Sequence, residues 1–144
     1  MNLSKFPERL SELLFEAQLN PPVLAEAIGC TRGTINRYLN GSLPTLEMAV
    51  RLADYFGCTV DFLLGVSEEN EVKNFVTPPP FCERLPVLLK EFNKSRYSLQ
   101  KSTNISDTIM RYWWKGIKVP SIDSIAKIAE ALDCSIDYVI GRSK

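Results

Sequence analysis

The sequence predicts an all-α chain of two tandem domains, each built from five short helices. Three observations carry this: the chain repeats itself at a spacing of 75–76 residues, its apolar residues recur with a helical period, and a proline-containing stretch separates the copies. FPERLSELLFE at 6–16 matches FCERLPVLLKE at 81–91, and AVRLADYFGCTVDFLLG at 49–65 matches IAKIAEALDCSIDYVIG at 125–141. Between them Leu24 matches Leu99, Gly41 matches Gly116 and, after one inserted residue, Pro44 matches Pro120. Of 60 aligned positions 14 are identical, where average residue usage gives about four by chance. The expected division is residues 1–66, a linker over 67–80, and residues 81–144. SEEN at 67–70 and TPPP at 77–80 read as a connector, because three prolines cannot donate backbone hydrogen bonds and favour extended structure. Fully stretched, such a connector reaches about 50 Å.

The helices follow in order. Leu10, Leu13, Leu14 and Ala17 recur at i, i+3, i+4, i+7, as do Leu85, Leu88, Leu89 and Phe92, so each copy opens with a one-faced helix. Asn20 suits an N-cap and Pro21 the first position of a second helix, which runs to Ile28. Gly29 ends it in the left-handed conformation. Thr31 caps a third helix over 32–40, which Gly41 ends. Thr45 caps the fourth, with Glu47 favourable to its dipole and Leu46, Ala49, Val50, Ala53 and Phe56 as the expected buried stripe. Gly57 ends that helix, and a short fifth over about 59–64 stops at Gly65.

The second copy follows the same plan. Ser95 caps its second helix, and Asn104 stands where the first copy has Gly29, asparagine being the next best residue for a left-handed backbone. Ser106 caps a third helix over 107–115, Gly116 ends it, and Ser121 and Ser135 open the fourth and fifth. No segment shows the alternation of a strand.

Two helices joined by a three-residue turn, the second carrying exposed polar groups, make a helix-turn-helix unit. An α-helix fits the major groove of DNA and can hydrogen-bond base edges there. The stretch LAEAIGCTRGTINRYLNGSLPTLEMAVRLADYFGCTVDFLLG at 24–65 resembles the lambda-repressor-like family of Cro and xenobiotic-response-element-type regulators. The shared landmarks are L-A-x-x-x-G into the turn, a polar third helix ending at x-N-G, the following Pro, and the ϕ-D-x-L-L-G ending. The second copy carries fewer of them.

The resemblance implies two tandem five-helix lambda-repressor-like domains whose third helices recognise double-stranded DNA. In the first copy it places Arg32, Gly33, Asn36 and Arg37 against base edges, with Thr31, Thr34 and Asn40 at phosphates. In the second copy the equivalent surface offers Ser106, Asp107, Thr108, Arg111 and Tyr112, flanked by Lys115 and Lys118. Asp107 favours its own helix dipole but repels phosphate, whereas Arg111, Lys115 and Lys118 can contact backbone. The family often has glutamine at the start of helix two, touching phosphate. Pro21 stands there instead, so contact at that point falls to backbone groups. Of Trp113 and Trp114, one is expected to pack inward in the place of Tyr38 and the other to stay partly exposed.

Charge is unevenly spread. The net formal charge is zero, but residues 1–66 carry −2, residues 67–80 carry −2 and residues 81–144 carry +4. Enzyme classes are excluded by pattern: there is no histidine, no G-x-S-x-G, no phosphate-cradling glycine-rich loop and no metal-ligand spacing, so no catalytic residue, cofactor, metal or small-molecule substrate is implied. Cys30, Cys58, Cys82 and Cys134 form no C-x-x-C pair and read as reduced structural thiols, with Cys58 and Cys134 in similar apolar settings. No apolar run is long enough for a membrane span and no secretory signal is legible, so the expected setting is the cytoplasm of a bacterial or phage system, at the nucleoid. An alternative reading keeps the fold and drops DNA: neutral net charge, the acidic first half and Pro21 suit an interaction module, with Tyr112 and Trp114 docking a second copy or another protein.

Overall fold

The structure, a computed structural model, describes residues 1–71 and 74–143. Its described residues form ten helices, which fall into two compact units, Asn2–Val72 and Lys73–Lys144. The fold is all-α, with two helix-turn-helix domains.

The first unit contains α1 (Phe6–Glu16), α2 (Pro21–Ile28), α3 (Arg32–Leu39), α4 (Leu46–Phe56) and α5 (Val60–Leu63). Each boundary has a local cause. Asn20, Thr31, Thr45 and Thr59 each accept a hydrogen bond from the backbone N–H three residues on, satisfying a donor that the helix itself leaves open. Gly29 and Gly57 close α2 and α4 at φ of 78° and 66°. The core gathers Phe6, Leu10, Leu24, Ile35, Leu52 and Leu63, all fully buried. The stripe of α4 differs from expectation. Ala49, Leu52 and Ala53 are its buried residues, while Leu46, Val50 and Phe56 are only half-buried at its edges. The difference is a small rotation: α4 turns Leu52 inward beneath α5. Ala17 is likewise exposed, lying past the end of α1.

The second unit contains α6 (Phe81–Glu91), α7 (Arg96–Thr103), α8 (Asp107–Lys115), α9 (Ile122–Leu132) and α10 (Ile136–Ile140). Ser95, Ser106, Ser121 and Ser135 are its N-caps. Asn104 takes the left-handed conformation at φ 59°, as does Asp133 at φ 53°, in the place of Gly57. The core holds Leu85, Leu88, Leu99, Met110, Ile125 and Ile136. Cys58 is buried, but Cys134 is only half-buried.

An aromatic pair anchors the third helix in each unit. Phe6 meets Tyr38 with ring centroids 5.9 Å apart, and Phe81 meets Trp113 edge-on at 6.0 Å. These are equivalent positions of the repeat, and such pairs add about 0.5–1.5 kcal/mol beyond their buried area. A second shared device ties the first helix to the fifth. The buried Arg9 guanidinium lies 3.8 Å from the Phe62 ring centre and donates to the carbonyls of Phe62 and Ser67. Its equivalent, Arg84, donates to the carbonyls of Tyr138 at 2.6 Å and Val139 at 3.3 Å. A guanidinium out of water needs acceptors, and the carbonyls of Phe62 and Tyr138 use a second lone pair for it, each also accepting from the N–H of Gly65 or Gly141.

The segment 67–80 is bound at both ends. Glu68 pairs with Arg9 at 3.2 Å, and Asn70 accepts from the Thr59 N–H at 3.4 Å. Beyond it, Phe75 bridges to Ser143 and lies under the Arg142 guanidinium at 3.8 Å, while the Val76 N–H donates to the Arg142 carbonyl at 2.8 Å. Composition reads this stretch as a free connector because the partners that hold it are buried arginines elsewhere.

The glycines that end helices in the first unit make a sharp test. A Cβ on Gly57 meets nothing within 4 Å, whereas one on Gly65 falls 2.6 Å from Lys5 Cβ and 3.1 Å from Lys5 carbonyl carbon. Gly57→Asn is expected to cost less than about 1 kcal/mol, since Asp133 already lives in that conformation. Gly65→Asn is expected to cost more than about 3 kcal/mol, because left-handed strain adds to a backbone clash. Chemical denaturation of the two variants checks both.

Candidate nucleic-acid interface

The α2–α3 pair is built by a turn in which every hinge residue has a structural duty. Gly29 supplies the left-handed backbone, and the Cys30 N–H returns to the Ala25 carbonyl at 2.9 Å. Burial pushes the Cys30 thiol above its ordinary pKa, with Arg51 partly opposing. The Thr31 hydroxyl caps α3 through the Thr34 N–H at 3.2 Å and also meets the Thr34 hydroxyl at 3.0 Å.

Ile35 and Tyr38 hold α3 against the core, and α3 packs on both α1 and α2. Burial also raises the Tyr38 hydroxyl, with Cys30 adding to it and Arg37 opposing. This fixes what faces out: Arg32, Gly33, Asn36, Arg37 and Asn40 are exposed, and Thr34 is half-exposed. Arg37 Nη2 donates to Thr34 Oγ1 at 3.2 Å, and Asn40 Nδ2 donates to the Asn36 carbonyl at 2.8 Å. A rigid short helix thus presents two guanidinium forks and a carboxamide on its solvent side. Those groups match the paired acceptors of guanine and the donor–acceptor pair of adenine.

In the second unit Met110 and Trp113 anchor α8. Trp113 is the inward tryptophan, and Trp114 remains 37% exposed. Ser106, Asp107, Thr108, Arg111, Lys115 and Lys118 are exposed, and Tyr112 is half-buried. Arg111 does not project freely: its Nε lies 3.1 Å from Asp107 Oδ2, and Asp107 Oδ1 accepts from Gln100 Nε2 at 2.9 Å. Lys118 Nζ lies 5.3 Å from the Tyr112 ring centre.

Sequence reasoning missed Arg96. It occupies the first position of α7, the repeat equivalent of Pro21, and its guanidinium lies 5.1 Å from the Trp114 ring centre. Aligning the second helices of the two copies exposes it: where the first has Pro21, without a side-chain donor, the second has Arg96.

Two buried-anchor, exposed-polar third helices, each following a tight turn, define a helix-turn-helix DNA-binding regulator. A helix-turn-helix family model matches residues 23–63, and a Cro/C1-type helix-turn-helix DNA-binding domain model matches residues 84–142. Together they cover more than two thirds of the chain. The chain belongs to the lambda-repressor-like helix-turn-helix family, with two copies in tandem. No curated protein and no solved structure matches it significantly. Among the described residues no helix is long and apolar enough to cross a membrane.

Proposed function

We infer that the chain is a sequence-specific, repressor-type transcriptional regulator that inserts its third helices into the major groove of double-stranded DNA. The observation that carries this reading is the outward face of α3, where Arg32, Asn36 and Arg37 stand exposed on a helix locked from behind by Ile35 and Tyr38. Arg32 and Arg37 grip guanine edges and Asn36 an adenine edge. Gly33 lets the helix approach closely. Thr31, Thr34 and Asn40 lie at the rim, suited to phosphate.

In the second unit Ser106, Thr108 and Tyr112 face the groove, with Arg111, Lys115 and Lys118 toward the backbone. Arg96 adds a phosphate contact at the start of α7, held ready by the Trp114 ring. The +4 charge of residues 81–144 supplies attraction that the acidic first unit lacks. The short tether raises the effective concentration of the second unit once the first is bound. Occupancy alone blocks polymerase, so repression by occlusion is the direction we propose.

The test is a duplex selected by the full chain from a random pool, titrated at rising salt and then placed before a reporter promoter. A steep linear fall of log affinity with log salt, and lowered reporter output, are expected. A salt-independent or sequence-independent affinity overturns the reading.

A further inference from the structure

We propose that the two units divide one DNA site between them: the first reads bases, and the second is a phosphate clamp that holds the duplex without reading its sequence. This deepens, and rests on, the reading that both third helices meet double-stranded DNA.

The base-reading groups of α3 have no counterparts in α8. At an offset of 75 residues Asp107 stands opposite Arg32, and Tyr112 opposite Arg37. Both guanidinium forks are thus replaced, one by an acid and one by a ring. Arg111, opposite Asn36, reaches back one turn: its Nε lies 3.1 Å from Asp107 Oδ2, and Gln100 Nε2 donates to Asp107 Oδ1 at 2.9 Å. That carboxylate competes with guanine acceptors for the fork. Thr108, opposite Gly33, offers a hydroxyl, which pairs with donor and acceptor edges alike and discriminates little between bases.

The cations of the second unit lie elsewhere. Arg96, Lys101 and Lys115 stand opposite Pro21, Glu26 and Asn40, and Lys118 lies in the turn where the second copy is one residue longer. Two of them sit against rings of α8. Arg96 lies 5.1 Å from the Trp114 ring centre, and Lys118 Nζ 5.3 Å from that of Tyr112. The Ile117 and Lys118 N–H groups both return to the Tyr112 carbonyl, at 2.9 and 3.4 Å, which folds Lys118 back toward the helix. Residues two apart project about 200° from each other around a helix, so Tyr112 and Trp114 hold a cation at either edge of α8. Lys115 projects from the arc between them, opposite the inward Met110 and Trp113. A ring restricts a cation and leaves its charge whole. Among the described residues Arg96, Lys115 and Lys118 pair with no carboxylate, unlike Arg111. Cations spread across one helix face complement the phosphate rows that border a groove, whatever bases lie between.

The experiment uses the full chain and its selected duplex, the first half of the site being the one whose footprint Arg32→Ala/Arg37→Ala removes. Scrambling the base pairs of the second half should change affinity by less than about twofold, whereas a single change in the first half should cost about fivefold or more. Uncharged methylphosphonates in the second half should weaken binding. Arg96→Ala/Lys118→Ala should make the slope of log affinity against log salt shallower by about two and leave base preference unchanged. Arg96→Lys should keep the slope, since it keeps the charge. The melting temperature read by tryptophan fluorescence shows whether the variant unit is folded, and the scrambled duplex needs no variant at all. A base change in the second half that costs as much as one in the first overturns the proposal while leaving DNA binding intact. A slope that the folded double variant does not alter does the same. A chain that selects no duplex overturns the proposed function itself.

Discussion

Arg142→Met is expected to unfold the second unit at temperatures where the first stays folded. Arg142 is fully buried; its Nη1 lies 2.8 Å from Asp137 Oδ1, and its guanidinium covers the Phe75 ring at 3.8 Å. Asp137 is itself buried at the start of α10, and its carbonyl accepts from the Arg142 N–H at 2.9 Å. One residue therefore joins α10 to the returning 75–76 segment. Removing the guanidinium takes its charge partner from a buried carboxylate, at about 3–5 kcal/mol. For a unit of this size that is a large share of the total stability and lowers the melting temperature by more than about 10 °C. The first unit has Val66 at the position equivalent to Arg142.

Both tryptophans, Trp113 and Trp114, belong to the second unit, so indole fluorescence reports its unfolding alone. The double variant Asp137→Leu/Arg142→Met should recover much of the loss, because replacing a buried pair by apolar groups is often near neutral. A shift under about 2 °C for Arg142→Met would contradict this account of the second core.

The second large effect concerns binding. Arg32→Ala combined with Arg37→Ala is expected to lower affinity for the selected duplex at least thirtyfold, from about 1–3 kcal/mol per bidentate contact. Stability should change by less than about 0.5 kcal/mol, since both side chains are exposed and alanine favours the helix. Arg37→Lys separates charge from geometry: lysine keeps the phosphate attraction but has no fork. It should lose discrimination at one base pair and keep most of the salt dependence. Anisotropy of a labelled duplex, measured against single-base variants, reads both. Equal losses on every sequence would make these arginines phosphate contacts instead.

Much of the fold was legible because its signals are local. A polar residue before an apolar run caps a helix whatever packs on it, and Asn20, Thr31, Thr45, Ser95, Ser106, Ser121 and Ser135 all do so. The rotation of α4 was not legible, because one extra apolar residue, Leu52, leaves the stripe's centre undetermined until α5 is in place. The held ends of the 67–80 segment were hidden for a different reason: their partners are arginines, which composition reads as surface. Arg9 and Arg84 are identical across the two copies, but so are the exposed Glu8 and Glu83, so identity alone did not mark the two arginines.

For the candidate interface, sequence register located α3 and α8. It could not show that Asp107 ties back Arg111, that Trp114 backs Arg96, or that Ile109 stands open. Each depends on side chains meeting across a turn.

The most direct measurement is a hydroxyl-radical footprint of the full chain on its selected duplex, repeated with Arg32→Ala/Arg37→Ala and with Arg111→Ala/Lys115→Ala. Two adjacent protected segments are expected, the first pair of substitutions erasing one and the second pair weakening the other. A single segment that neither pair of substitutions alters would contradict recognition by the two third helices.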